Sequence, residues 1–369
     1  MKTLAEPGSF AASGPRPAAP APKVVAAWLL TCCGMLAVMV LLGGLTRLTH
    51  SGLSMVEWEP VVGIVPPLTD ADWQTFFAKY QQTPEYLKVN AGMSLAEFKG
   101  IFWLEYIHRV WGRLIGLVFF VPFLWLAVSG RIGRALVPRL GGLFLLGAAQ
   151  GGMGWFMVAS GLVDNPHVSH YRLTAHLGLA FLIHAWMLWM ALDILAAHRA
   201  RAHRLPRPAA AGVAGWLVAL TALAVVTLLY GGLVAGLRAG LIYNTWPLMD
   251  GHLVPNHLFD EGWVSGFEDI KTVQFIHRTL AELTVLSALG GWLWARSRLG
   301  RELPGAINVV ALVAVLQVSL GIATLVLVVP VSVASAHQMG AMALLSVCLW
   351  AIHEMKFRTS GGGSLYQSH

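Results

Sequence analysis

Eight stretches of apolar residues, each long enough to cross a hydrocarbon core of roughly 30 Å, dominate this sequence of 369 residues. They lie near 24–46, 101–128, 137–159, 172–196, 212–235, 272–295, 305–328 and 333–355. A backbone inside a bilayer has to satisfy its own hydrogen bonds, so such stretches fold as helices. The expected fold is an all-α integral membrane protein with eight transmembrane helices. Composition agrees, since 56% of residues are hydrophobic and 12% charged, a balance foreign to a soluble domain of this length.

Basic residues set the expected orientation. Lys2, Arg16 and Lys23 precede the first span, and Lys356 and Arg358 follow the last. Between them, alternate turns hold Arg131, Arg134 and Arg139, then Arg199, Arg201, Arg204 and Arg207, then Arg296, Arg298 and Arg301. Lys and Arg accumulate on the cytoplasmic side of short loops, which puts both termini in the cytoplasm. The net charge of +7 is thereby a topology signal, and no nucleic-acid partner is expected. Residues 1–23, rich in Ala and Pro, read as a disordered tail, as does the linker-like end within 356–369. Cys32, Cys33 and Cys348 all fall inside spans, where they are expected to be buried packing residues and not a redox pair or thiolate metal site.

An even number of spans permits an internal repeat, and one is present. Gly43, Gly44, Leu45, Gly52, Leu53, Trp58, Gly63 and Pro67 meet Gly231, Gly232, Leu233, Gly240, Leu241, Trp246, Gly251 and Pro255 at one constant offset. Further on, EYIHR (105–109) meets QFIHR (274–278), QGGMG (150–154) meets QVSLG (317–321), and TAHLGLAFL (174–182) meets SAHQMGAMA (335–343). The expected organisation is two tandem four-helix bundles, 24–196 and 212–355, related by a pseudo-twofold axis and joined by a cytoplasmic linker, 197–211. The first half also carries a long external loop, 47–100, whose extra segment around Trp73 to Asn90 is expected to form a cap or short helices over the membrane mouth.

The repeat selects four of the fourteen histidines. His108 and His176 in the first half match His277 and His337 in the second, each within about two turns of the external end of its span. Polar groups inside a bilayer are costly and mark function. Neutral imidazole ligates haem iron, and two facing helices can place one axial nitrogen on each side of a porphyrin. Zinc and non-haem iron prefer three or more ligands, often with carboxylates or thiolates. One haem per half is the reading that fits. His184 is expected to be a packing residue. His50, His167, His170, His252 and His257 are expected at the external surface, and His198, His203, His353 and His369 at the cytoplasmic surface.

The halves differ chemically at one position. Glu105 stands three residues before His108, on nearly the same helix face, whereas its repeat partner is Gln274. A carboxylate can exchange protons and a carboxamide cannot. The first half is therefore expected to carry chemistry and the second to hold electrons. Arg109 and Arg278 follow the histidines and are expected either to reach the external interface or to contact haem propionates. Arg113, near mid-membrane, is expected to pair with Glu282 across the axis between the halves or else to reach a haem propionate or a water-filled cleft.

The duplicated plan, the four histidines, EYIHR, RLTHSGLSMVEWEP, the TPEY…GMSLAEFK segment and GLRAGLIYNTWPLMDG together resemble the haem A synthases of proteobacteria and mitochondria, over residues 24 to 355. That resemblance implies oxidation of the C8 methyl group of haem O to a formyl group, giving haem A for terminal oxidases. It implies that His277 and His337 ligate a resident haem b, that His108 and His176 flank the haem O site, and that Glu105 is the key acid. It further implies a bacterial inner membrane location, with membrane lipid around the chain, haem O synthase as a partner, an electron partner of unspecified identity, and homo-oligomer formation left open. The cysteine pair of the Gram-positive branch is missing from the first external loop here. Two rival classes, a two-haem electron-transfer cytochrome and a duplicated transporter, explain less: the first gives no reason for Glu against Gln, the second none for paired histidines at one depth.

Overall fold

The structure, a computed structural model, describes residues 22–57, 65–162, 168–198 and 207–360. The expected N-terminal tail to residue 21, most of the cytoplasmic linker, the last nine residues, and with them His167, His203 and His369, lie outside the described residues. In chain order the helices are α1 (Lys23–Leu48), α2 (Asp70–Tyr80), α3 (Pro84–Lys88), α4 (Leu95–Val128), α5 (Leu136–Gly161), α6 (His170–Ala197), α7 (Arg207–Gly236), α8 (Ser265–Glu268), α9 (Ile270–Leu299), α10 (Gly305–Val326) and α11 (Val331–Ser360). Among the described residues the only β feature is an isolated antiparallel bridge between Met249 and His252.

Local chemistry starts the helices at the watery ends. Ser94 and Glu97 form a reciprocal capping box at the head of α4, as Thr69 and Asp72 do for α2, satisfying amides that have no intrahelical partner. Asp269 caps α9 by accepting from Thr272 N at 2.7 Å. Seven described helices, α1, α4, α5, α6, α7, α10 and α11, are long and apolar enough to cross a bilayer. The eighth expected span is α9, which matches them in length at 30 residues but is interrupted by Lys271, Gln274, His277, Arg278 and Glu282. Its low apolarity is a consequence of the polar residues the repeat singled out.

The helices pack in matching sets. α1 contacts α4 and α6, and α5 contacts α6 and α4; α7 contacts α9 and α11, and α10 contacts α11 and α9. One apolar core gathers around α1, α4, α5 and α6, and a second around α7, α9, α10 and α11. Between the two sets run α6 with α7, α1 with α11, and α6 with α11. Cys32, Cys33 and Cys348 are buried free thiols within these cores, as expected.

Polar links stitch this seam. His184 Nε2 meets Ser346 Oγ at 2.8 Å and His353 Nε2 meets Asp193 Oδ1 at 3.0 Å, both between α6 and α11. Gln338 Nε2 of α11 donates to Val40 O of α1 at 3.0 Å. Arg47, at the end of α1, donates to Ala235 O at 3.1 Å and so caps the carbonyl end of α7. His353 is thus buried against Asp193 and Trp189, not at the surface, because its side of α11 packs on α6, where Asp193 supplies a partner for the imidazole. The expected Arg113–Glu282 pair does not form. α4 and α9 pack on the outer sides of their partners, and Glu282 Oε1 accepts instead from Trp246 Nε1 at 3.3 Å.

The long connection between α1 and α4 is a folded insert. Trp73 and Tyr80 of α2 bury with Met55, Phe98 and Phe102, and Tyr80 stacks on Phe98 with ring centres 5.1 Å apart. Glu85 of α3 is buried where the two halves meet, with its Oε1 3.8 Å from His50 Nδ1. His50 Nδ1 in turn lies 3.3 Å from Arg238 Nη2. His50 and Arg238 are repeat equivalents, and both take the left-handed conformation, φ 54° and 55°. Burial pushes the Glu85 carboxyl up from its ordinary value of 4.5, against the downward pull of Arg238 and Arg47. An acid raised in the folded state contributes stability that is full below its ordinary value and is lost as pH rises through the raised one. Glu85→Gln, which cannot ionise, should therefore flatten the fall in thermal unfolding midpoint between that value and neutrality; an unchanged slope would show that Glu85 does not set it.

Candidate functional site

Each of the four repeat-related histidines rests on a glycine of a neighbouring helix. A Cβ on Gly43 of α1 would stand 3.3 Å from His108 Nε2, and one on Gly231 of α7 would stand 3.2 Å from His277 Cε1. A Cβ on Gly154 of α5 would stand 3.4 Å from His176 Cε1, and one on Gly321 of α10 would stand 2.9 Å from His337 Cε1. These are the glycines already aligned by the repeat. A Cβ would clash with the imidazole at Gly321, press on it at Gly43 and Gly231, and only touch it at Gly154.

A second shared feature holds α6 and α11. Gln150 Nε2 donates to His176 O and Gln317 Nε2 to His337 O, each at 3.0 Å. A glutamine at the matching position of α5 and α10 thus grips the backbone of the histidine-bearing turn. In the second half the two imidazoles face each other at 82° with ring centres 6.5 Å apart. A metal–nitrogen bond of about 2 Å on each side, plus about 1 Å from nitrogen to ring centre, gives roughly 6 Å. His277 Nδ1 is held by Thr227 O at 3.0 Å, which leaves Nε2 for a ligand. His176 Nδ1 and His337 Nδ1 are buried with no protein partner among the described residues. Among the described residues no three His, Cys, Asp or Glu side chains converge as a metal cluster. Two imidazoles facing across a gap, cradled by glycines, suit an iron that brings four equatorial ligands of its own.

Around Glu105 and Gln274 the halves part company. Glu105 is buried and its carboxylate takes four donors. Ser54 Oγ and Met55 N donate to Oε2 at 2.6 and 2.9 Å; Arg109 donates to Oε1 from Nε at 3.0 Å and also from Nη2. Arg109 further reaches Glu57 O at 3.1 Å and Met55 O at 2.9 Å. In the second half Gln274 Nε2 donates to Ala239 O at 3.1 Å and Ile242 O at 2.7 Å, and Arg278 Nη2 donates to Thr245 O at 2.7 Å. Glu57 and Thr245 are related by the same offset as Gly43 and Gly231, so the two arginines clamp the same loop carbonyl. Ser54 and Ile242 are related likewise. Only the first half combines a carboxylate with a hydroxyl.

The structure thus brings Glu105 and Arg109 together as an ion pair one helical turn apart, a pairing that their i,i+4 spacing permits and that was not among the expected uses of Arg109. Arg278 Nη1 remains a buried donor without a protein partner among the described residues. His184 is buried, as expected of a packing residue, and its ring nitrogen meets Ser346 in the seam. Sequence reasoning assigned no role to Ser54, Gln150 or Gln317, although the repeat alignment already contained the signal: two glutamines kept at equal positions, and a serine exchanged for isoleucine where glutamate is exchanged for glutamine.

Residues 26–349 match the family described as cytochrome oxidase assembly protein. The chain is 74% identical over 331 residues to the haem A synthase of Paramagnetospirillum magneticum, covering 90% of this chain and 93% of that one. It is 52% identical to the haem A synthase of Nitrosospira multiformis over 90% of this chain and 94% of that one, and 49% identical to that of Rhodospirillum centenum over 94% and 92%. Kinship along nearly the whole length, with seven helices apolar enough to span a bilayer, makes this a multi-pass membrane protein, and the chain belongs to the cytochrome oxidase assembly protein family.

Proposed function

We propose that this protein is an oxidoreductase that converts haem O to haem A, the activity its relatives' name describes, with the chemistry confined to the first half. The observation that carries this is the contrast between Glu105 with Ser54 and Gln274 with Ile242, set beside otherwise equivalent histidine and glycine pairs. In this reading α9 crosses the membrane as the eighth helix, and 24–196 and 212–355 are tandem four-helix bundles about a pseudo-twofold axis. The matched packing of their helices supports it. The arginine distribution favours both termini in the cytoplasm of a bacterial inner membrane, with haem O synthase as the supplier of substrate.

In the second half, His277 and His337 hold a resident haem b, with Arg278 Nη1 a donor for a propionate. In the first half, His108 and His176 flank haem O. The bound iron supplies the means to draw electrons from the porphyrin ring. The protein's part is placement: glycines that admit the ring, Gln150 and Gln317 that fix the ligand turns, and Glu105, which exchanges protons near the reacting methyl group. The insert over α4 keeps bulk water from that carboxylate.

Purification followed by pyridine haemochrome and mass analysis should find haem b together with haem O or haem A; haem b alone, with no conversion, would identify a two-haem cytochrome instead. His277→Ala and His337→Ala should each strip haem b. Glu105→Gln should retain it and lower haem A formation by about 100-fold or more. Full haem b in both histidine variants sinks the assignment. Gly321→Ala should cut haem b content several-fold, because its Cβ meets the imidazole at 2.9 Å, whereas Gly147→Ala, whose Cβ meets nothing within 4 Å, should keep it. Equal haem content in the two would show that the glycine cradle has no role.

A further inference from the structure

We propose that Ser54 is the proton relay of Glu105. The inference rests on the reading of Glu105 as the reactive carboxylate of the first half, and it follows from the four donors that surround that group. Arg109 supplies two of them, and a guanidinium does not give up its protons in a protein. Met55 N supplies the third, and a backbone amide keeps its proton as well. Ser54 Oγ, at 2.6 Å from Oε2 and buried, is the one partner that both donates and accepts. Among the described residues its only other neighbour of hydrogen-bond type is Ile101 O at 3.4 Å, a weak contact at that length, so the hydroxyl commits its proton to the carboxylate and keeps its lone pairs for a donor beyond.

A proton can therefore reach or leave Glu105 without breaking the ion pair or freeing the loop only by way of Ser54. In that step the Oγ–H bond breaks as its proton passes to Oε2, while Oγ takes a proton from a water or a substrate hydroxyl on its other side. One proton moves and no electrons do, and the serine ends as it began. The reverse step discharges Glu105. The second half has neither part: Ile242 stands at the serine's position, and Gln274 spends its amide on the carbonyls of Ala239 and Ile242. Relay and acceptor are exchanged together between the halves, as a working pair would be.

The test compares Ser54→Ala, Ser54→Thr and Glu105→Gln in the full-length protein. In the haem-free protein, infrared difference spectra against Glu105→Gln isolate the carboxylate band of Glu105; Ser54→Ala should shift that band and Ser54→Thr should restore it. In the loaded protein, Ser54→Ala should keep its haem b, lose about 10- to 100-fold in haem A formation, and show a larger solvent deuterium isotope effect than the parent. Ser54→Thr should recover most of the rate. Parental turnover in Ser54→Ala while Glu105→Gln is inactive overturns the relay and leaves the reading of Glu105 standing. Loss in Ser54→Ala that threonine fails to restore also overturns it, since it marks a packing role. Full conversion by Glu105→Gln removes the reading of Glu105 and the relay with it.

Discussion

Close approach at two tandem glycines is the contact on which the rest of the molecule depends. Gly43 of α1 faces His108 of its own half, and the next residue, Gly44, faces the other half, where a Cβ would lie within reach of the Gln338 side chain of α11. Gly231 and Gly232 of α7 repeat the arrangement with His277 and with Thr174 of α6. Without a hydrophobic force between helices in lipid, small residues that let backbones approach are the main source of helix packing energy. Here the same two residues also leave room for an imidazole. The separation between the halves and the space beside His108 and His277 are thereby set by the same glycine pairs.

That economy explains why the halves keep their framework alike while their chemistry diverges. The clamp from arginine to the loop carbonyl is present twice, as is the grip of a glutamine on the histidine turn. Changing either would move one of the four repeat-related histidines or the loop beside it. Exchanging Glu105 for Gln274 and Ser54 for Ile242 alters proton chemistry and leaves the clamp in place, because the arginine still reaches the loop in both halves. A duplicated fold can specialise one copy at such positions for little structural cost.

The insert is tied to the same network. Lys79 of α2 donates to Glu57 Oε1 at 2.7 Å, Glu57 offers its carbonyl to Arg109, and Arg109 pairs with Glu105. On its other side Glu85 of α3 reaches the meeting point of the two halves at His50 and Arg238. The aromatic cluster under α2 is thus a lid anchored at two places, one at the Glu105 carboxylate and one at the seam. The arginines at the two helix ends offset part of the desolvation of the buried Glu85.

The long apolar runs, the twofold repeat, the four histidines and the substitution of glutamine for glutamate were all written in the sequence by itself. Each follows from a local rule: run length against bilayer thickness, residue identity at a constant offset, and the proton chemistry of a side chain. Only the tertiary structure decided which helices form the seam, that Ser54 and Met55 meet Glu105, that Arg113 and Glu282 do not meet, and that His353 is buried against Asp193. The reason is physical. In a membrane helix the lipid-facing and protein-facing sides are both apolar, so periodicity carries little information about rotation. Which side chains meet is then settled by small residues and backbone donors on other helices, far away along the chain.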